Sequence, residues 1–206
     1  MDMEELKYKV FDDGKFVKEV TIKKIKPCIA SEGKIRVLMH LDADLGEIIP
    51  VLVSKYPPGR VNYIERKNVL TLNIFNRLIT IYPSGKISMN KTHDKEEAVK
   101  VITNIMNDIN KCYSDIEEDN SINYEELKEK LSKIGPLAIY NCLPQTNCEE
   151  CGEVTCMAFA MKLLSGDTTL KKCSPLNEKS SADKIECLKE LLGNRIMETM
   201  GWKMNE

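Results

Sequence analysis

The sequence predicts an α+β protein with two domains, an N-terminal antiparallel sheet with packed helices and a smaller, mostly helical C-terminal domain. Three observations support this division. Residues 1–113 read as short alternating segments separated by turn residues. Residues 114–121 are acidic and lack periodicity, which is typical of a linker. Residues 122–206 are rich in helix-forming segments and contain a dense group of cysteines.

Apolar and polar residues alternate through most of the first domain, which predicts strands joined by short turns. Asp12, Asp13 and Gly14 form a hairpin sequence, and Pro83, Ser84 and Gly85 form a tight turn. A short helix is expected at residues 46–55 and an amphipathic helix at 94–113. The predicted strands cover residues 7–10, 16–25, 36–41, 61–65, 69–75, 78–82 and 86–89.

Three helices are predicted in the second domain. The first covers residues 124–134 and the last covers 181–200. Between them, Thr155 can cap a helix that starts at Cys156, and Gly166 is placed to end it. A chain of 206 residues has room for two small domains of this kind.

Four cysteines in the second domain have the spacing C-x2-C-x4-C-x16-C, at Cys148, Cys151, Cys156 and Cys173. Thiolates select soft metals, so four on one centre indicate zinc or an iron–sulfur cluster. The spacing favours the cluster, because structural zinc sites usually carry two C-x2-4-C pairs and the second pair is absent here. Zinc and a set of reduced, metal-free thiols remain as alternatives. Gly152 allows the backbone to turn around the centre without a side-chain clash.

Residues 136–176 resemble the small iron–sulfur domain of the corrinoid iron–sulfur protein family, the partner of carbon monoxide dehydrogenase/acetyl-CoA synthase complexes. The shared residues are Leu143-Pro144, Thr146-Asn147-Cys148, Cys151-Gly152, Cys156-Met157-Ala158-Phe159-Ala160, Gly166, Cys173 and Pro175. The resemblance implies that the four cysteines each bind one iron of a [4Fe–4S] cluster. It does not extend to corrinoid chemistry, because no segment matches the barrel that holds the corrinoid in that family.

From Val37 to Ile109, the predicted order of strand, helix, four strands and helix is similar to one repeat of the TATA-binding protein fold. The shared residues are Asp44-Leu45-Gly46, the segment from Ile79 to Lys86, and Lys95-Glu96-Glu97-Ala98. This resemblance implies a TATA-binding-protein-like sheet and helix module. Fold does not dictate function, so it implies no DNA binding by itself.

Basic residues are concentrated between residues 51 and 91, a segment that contains seven lysines or arginines and one acidic residue, Glu65. On one curved sheet they would make a phosphate-binding surface. A solvated face or a docking site for an acidic partner is the favoured explanation, because the intercalating aromatic residues of the resembled family are replaced by Val69 and Tyr82. The seven residues are Lys55, Arg60, Arg66, Lys67, Arg77, Lys86 and Lys91.

Four cysteine ligands would close the cluster to substrate, so we expect an electron-transfer or reductive-activation accessory protein rather than an enzyme. The expected partner is a redox protein, such as a corrinoid protein or another metalloprotein. Glu149, Glu150 and Glu153 lie beside the ligands and indicate a low reduction potential. The alternatives are a redox-responsive nucleic-acid-binding module and a purely structural cluster.

Composition and cysteine usage indicate the cell compartment. The N-terminus has no secretory pattern and no run of apolar residues is long enough to span a membrane. We therefore expect an anaerobic cytoplasm with reduced cysteines and no disulfide framework. Cys142, Cys112 and Cys187 are predicted as buried core residues, with Cys142 also placed as a spare thiol near the centre, and Cys28 is the most exposed candidate.

Overall fold

A computed structural model describes residues 5–118 and 133–202 of the chain. Its strands form one seven-stranded sheet in the order β1-β2-β3-β7-β6-β5-β4. Every neighbouring pair is antiparallel, which confirms the predicted antiparallel sheet. The strands are β1 (Leu6–Lys9), β2 (Glu19–Pro27), β3 (Ile35–Leu41), β4 (Val61–Ile64), β5 (Val69–Ile74), β6 (Arg77–Ile81) and β7 (Lys86–Thr92).

Four of the five described helices correspond to predicted ones, and the short helix Pro136–Asn141 was not predicted. The described helices are α1 (Ile48–Val53), α2 (Lys95–Glu118), α3 (Pro136–Asn141), α4 (Cys156–Ser165) and α5 (Ala182–Thr199). Because α2 continues to Glu118, residues 114–118 of the predicted linker are helical. Residues 119–121, and most of the helix predicted at 124–134, lie outside the described residues. Gly193, with φ 70° and ψ 162°, breaks the helical geometry inside α5.

One face of the sheet carries the core of the first unit. Alternate residues of the central strands point to this face and are fully buried, including Val37, Ile79 and Ile81. Helices α1 and α2 pack against each other and against this side of the sheet. Burying each large aliphatic side chain contributes roughly 1.5–3 kcal/mol, so this shared face is the main source of the unit's stability. The opposite face of the sheet carries polar and charged side chains.

Two polar contacts fix α2 against the sheet unit. The Asn110 side chain accepts a hydrogen bond from the Val17 N–H at 2.8 Å and donates to the Val17 carbonyl at 2.9 Å. Buried Arg77 donates to Glu97 at 2.7 Å, and the other Glu97 oxygen accepts from the His93 N–H at 2.7 Å. The Arg77 hydrogen bond, followed by that of His93, holds the pKa of Glu97 below its usual range. The stabilisation from this carboxylate is therefore lost as pH falls through its lowered pKa.

Two of the seven basic residues between residues 51 and 91 form ion pairs within their own units. Arg77 is buried in its pair with Glu97, and Arg60 pairs with Asp167. Arg66 and Lys67 lie in the short 3-10 turn Glu65–Lys67 between β4 and β5. A count of charges along the chain does not reveal such pairs, so it overstates the positive charge that is free to bind phosphate.

The contacts divide the chain into two compact units. The first comprises Met1–Val53 and Val61–Ile122, and the second comprises Ser54–Arg60 and Asn123–Glu206. The segment Ser54–Arg60, which lies between α1 and β4, thus belongs to the cysteine-bearing unit, although its sequence position suggested the first domain. No helix in the described ranges combines the length and apolarity needed to cross a membrane.

Candidate metal centre

The four cysteines of the motif are presented by one irregular loop, one helix start and one pair of short turns. Cys148 and Cys151 lie in the loop between α3 and α4, and Cys156 is the first residue of α4. Cys173 lies between the 3-10 turns Leu170–Lys172 and Ser174–Asn177. Its carbonyl accepts a hydrogen bond from Asn177 Nδ2 at 3.1 Å, which fixes the backbone that carries the last thiol.

The start of α4 is held by two side chains. Thr155 Oγ1 accepts from the Ala158 N–H at 3.1 Å, which confirms the predicted N-cap. Asn147 Oδ1 accepts from the Cys156 N–H at 2.8 Å, a contact that the sequence analysis missed because the two residues are nine apart. At the other end Gly166 adopts the left-handed conformation, with φ 68°, and ends the helix as predicted.

The loop before α4 has an unusual backbone. Gln145, Asn147 and Glu149 are all left-handed, with φ of 60°, 48° and 63°. Gly152 has φ 83° and donates its N–H to the Glu149 carbonyl at 2.9 Å. A Cβ at Gly152 would meet no atom within 4 Å. The positive φ favours glycine here, which agrees with the turn predicted at this position.

The four thiols share one electrostatic neighbourhood, although their exposure differs. Cys148 is exposed, Cys151 is half-buried, and Cys156 and Cys173 are 7% and 6% exposed. Burial raises the pKa of the Cys173 thiol, and a hydrogen bond from the backbone of Leu176 opposes that effect. Cys156, Cys151 and Cys148, in that order, raise the pKa further because each disfavours a second negative charge nearby.

An apolar core lies behind the thiols. Cys156 and Cys173 are themselves part of it, and Trp202 packs against it. Other members of this core are Ile139, Leu143, Phe159, Leu163, Leu170, Leu176, Leu188 and Ile196.

Within residues 5–118 and 133–202, no three or more histidine, cysteine or acidic side chains form a group that could hold a metal ion.

The three glutamates beside Cys148 and Cys151 in the sequence differ in their surroundings. Glu149 and Glu150 are exposed. Glu153 instead forms an ion pair with Lys162 of α4 at 2.6 Å, so its charge is compensated locally. The same contact raises the pKa of Lys162 and keeps it charged. Two of the three predicted negative charges therefore remain without a cationic partner in the described part of the chain.

Cys142 and Cys187 form a disulfide, which corrects the prediction that the cysteines outside the motif are reduced core residues. Cys142 follows the end of α3 and Cys187 lies on α5, and their Cα atoms are 5.4 Å apart. Both side chains belong to, or pack against, the apolar core of this unit. Packing in that core brings together residues that are 45 positions apart in sequence. Cys112 is fully buried, as predicted, and Cys28 is half-buried.

The segment Ser54–Arg60 packs against the end of α4. Arg60 donates from Nε to the Ser165 carbonyl and from Nη2 to Asp167 at 2.6 Å. Gly59 lies directly against α4, since a Cβ added there would be 2.7 Å from the Leu164 carbonyl oxygen. Both ends of the helix that presents Cys156 are thus fixed, one by Asn147 and Thr155 and the other by this segment.

Comparison with known proteins identifies the cysteine-bearing segment. Residues 143–175 match a family model described as "Putative Fe-S cluster". Gamma subunits of the acetyl-CoA decarbonylase/synthase complex are 52% identical over 64 residues in Methanosarcina thermophila and 39% identical over 74 residues in Methanocaldococcus jannaschii. These matches cover 31% and 36% of this chain but only 14% and 15% of the relatives. No solved structure matches the chain. Residues 143–175 are therefore an iron–sulfur domain related to that of these gamma subunits.

We expect Gly59→Ala to destabilise the cysteine-bearing unit by about 1–3 kcal/mol, because a backbone carbonyl cannot move aside for the new methyl group. Gly135→Ala is the matched control, since a Cβ there meets nothing within 4 Å and its φ of −149° suits any residue. Urea unfolding followed by the fluorescence of Trp202, the single tryptophan, measures both. Equal unfolding midpoints for the two variants would contradict the described packing of Gly59 on α4.

Proposed function

We propose that Cys148, Cys151, Cys156 and Cys173 bind one [4Fe–4S] cluster and that the protein is an electron-transfer or reductive-activation accessory protein. The observation that carries the proposal is that all four cysteines lie within residues 143–175, the segment that matches an iron–sulfur family. Four cysteine thiolates are the usual ligands of such a cluster.

A four-iron cluster suits this arrangement better than a single metal ion. In such a cluster each thiolate would bind a different iron, which suits four cysteines that come from a loop, a helix start and a pair of short turns. The left-handed residues Gln145, Asn147 and Glu149 belong to the kind of backbone that turns N–H groups inward and binds anions. The N-terminus of α4 adds favourable partial positive charge beside Cys156. These features support a cluster whose total charge, with its thiolates, is negative.

When bound, the cluster would supply reversible one-electron chemistry. The chain supplies the control of that chemistry. Leu176 hydrogen-bonds the buried Cys173 sulfur and the apolar core excludes water from the inner side. Exposed Cys148 marks the side through which an electron would enter or leave. Because all four irons would have protein ligands, no coordination position is left for a substrate, and we propose no catalytic residue.

The partner is proposed to be a redox protein, either a corrinoid protein or another metalloprotein. The curated relatives are subunits of an acetyl-CoA decarbonylase/synthase complex, which supports assembly with other proteins. We place the protein in an anaerobic cytoplasm because reduced clusters of this kind are sensitive to oxygen. The sheet unit is proposed as a TATA-binding-protein-like module that docks the partner. The order β3, α1, β4 to β7 and α2 supports that assignment.

We expect Cys151→Ser to lose most of its iron and its visible charge-transfer absorbance while the sheet unit stays folded, because one iron loses its thiolate. Cys28→Ser is the matched control, since Cys28 lies in the other unit. Iron and sulfide analysis of anaerobically purified proteins, with circular dichroism, measures both. Full cluster content in Cys151→Ser would remove Cys151 from the ligand set.

Electron transfer predicts a reversible one-electron couple at low potential in a mediated spectroelectrochemical titration. Glu150→Gln should raise the midpoint potential by on the order of tens of millivolts, because it removes an exposed negative charge beside the ligands. The difference from the unaltered protein should shrink at high ionic strength, where salt screens exposed charges. A cluster that cannot be reduced, or that breaks down on reduction, would indicate a structural role instead.

A further inference from the structure

A cavity of about 400 Å³ lies on the open face of the sheet, in the unit that does not carry the cysteine motif. Its floor comes from β3, β5, β6 and β7, and its wall comes from the end of β2 and the residues that follow, Lys26 to Ala30. The volume falls in the range of pockets that bind metabolites. Nothing in the proposed electron-transfer function uses this cavity.

The sheet register explains why polar side chains line the floor. Thr71 pairs with Thr80, and Thr80 pairs with Ser88, so the three side chains form one row across β5, β6 and β7. Their neighbours along each strand point to the opposite face and are buried under α1 and α2. The Thr71 and Thr80 hydroxyls are 3.2 Å apart and hydrogen-bond each other. The floor is therefore a row of hydroxyl groups on a rigid sheet.

Two cations line the cavity without a balancing carboxylate. Lys26 and Arg36 are register partners on β2 and β3, and both are exposed. Arg36 donates from Nε to Ser88 Oγ at 2.9 Å, which orients its guanidinium over the floor. No aspartate or glutamate lines the cavity, and within the described ranges neither cation forms an ion pair. An uncompensated arginine and lysine above hydroxyl groups attract an anionic oxygen group.

The wall adds apolar surface and a polarised thiol. Pro27, Ile29 and Leu78 line the cavity, and Ile29 and Leu78 are exposed large apolar residues. A bulge in β7 gives Lys91 a left-handed φ of 56° and turns its N–H away from the ladder. That N–H, followed by those of Ala30 and Ser31, hydrogen-bonds Cys28 and lowers the pKa of its thiol. The backbone N–H groups at the rim thus favour negative charge there, in addition to the two cationic side chains.

We propose that this cavity binds a small organic molecule that carries a carboxylate or phosphate group, with the anionic oxygens on Arg36 and Lys26 and the apolar part against Leu78, Pro27 and Ile29. Charge, size and lining support this class of ligand. A cavity of this size admits a single metabolite-sized group. All residues of the site belong to the sheet unit, so the proposal does not depend on whether the cysteine motif transfers electrons.

Cys28 at the rim allows the proposal to be tested without knowing the natural ligand. Iodoacetate is itself a small carboxylate, whereas iodoacetamide is its neutral analogue. The alkylation rates at Cys28 are measured anaerobically by peptide mass spectrometry. We expect the ratio of the iodoacetate rate to the iodoacetamide rate at Cys28 to be about five times the same ratio for the free thiol N-acetylcysteine amide. Arg36→Gln and Lys26→Gln should each lower the ratio, and the double variant should bring it to that of the free thiol.

Lys24→Gln is the matched control, because Lys24 is an exposed residue of the same strand that does not line the cavity. It should leave the ratio unchanged. Circular dichroism confirms that each variant is folded. A ratio at Cys28 equal to that of the free thiol, or equal losses in Lys24→Gln and Arg36→Gln, would overturn the proposal.

Protection of Cys28 from iodoacetamide by AMP and by hexanoate, at constant ionic strength, distinguishes the two anionic groups. Saturable protection by AMP supports a phosphate ligand, and saturable protection by hexanoate supports a carboxylate ligand. Either should be lost in Arg36→Gln and kept in Lys24→Gln. Protection by a DNA duplex without protection by either small anion would contradict a small-molecule site and assign the face to nucleic acid. The proposal is also contradicted if AMP, hexanoate and the DNA duplex all fail to protect Cys28 and iodoacetate shows no preference over iodoacetamide.

Discussion

The cysteine-bearing unit depends on how the fold holds the four thiols of the motif, which come from one loop, the start of α4 and a pair of short turns. Burial raises the pKa of the Cys173 thiol, and repulsion from the other three thiols raises it further, so the fold must hold this sulfur where a second negative charge is disfavoured. Asn147 and Thr155 fix the start of α4, and the Arg60 segment packs on its end. The apolar core closes the inner side. A bound cluster would offset the repulsion, and in that way the metal would contribute to folding.

The sheet unit obeys a different constraint, the division of its side chains between two faces. One face is buried under α1 and α2, and the other carries hydroxyl groups, amides and cations. The Asn110 and Arg77 contacts tie α2 to this unit without using the cysteines. Its open face is therefore available for a role that the iron–sulfur domain does not supply, and the cavity beside Arg36 is where the polar groups concentrate.

Local patterns predicted more of the molecule than long-range ones. All seven strands were found because each has its own alternation and turn residues, and Thr155 and Gly166 were found because caps act within one turn. The disulfide between Cys142 and Cys187 and the pairing of Arg60 with Asp167 were missed. These contacts join residues 45 and 107 positions apart, and no local pattern encodes them. The pairing of Arg77 with Glu97 was missed for the same reason, since the burial of Arg77 depends on the packing of α2.

The central claim, one redox-active four-iron cluster on Cys148, Cys151, Cys156 and Cys173, is tested most directly by electron paramagnetic resonance combined with metal analysis. Anaerobically purified protein is measured before and after addition of dithionite, alongside its iron, sulfide and zinc content. The account predicts four irons and four sulfides per chain, with a paramagnetic signal that appears on reduction. Stoichiometric zinc, or a protein without iron whose thiols are all free, would contradict it.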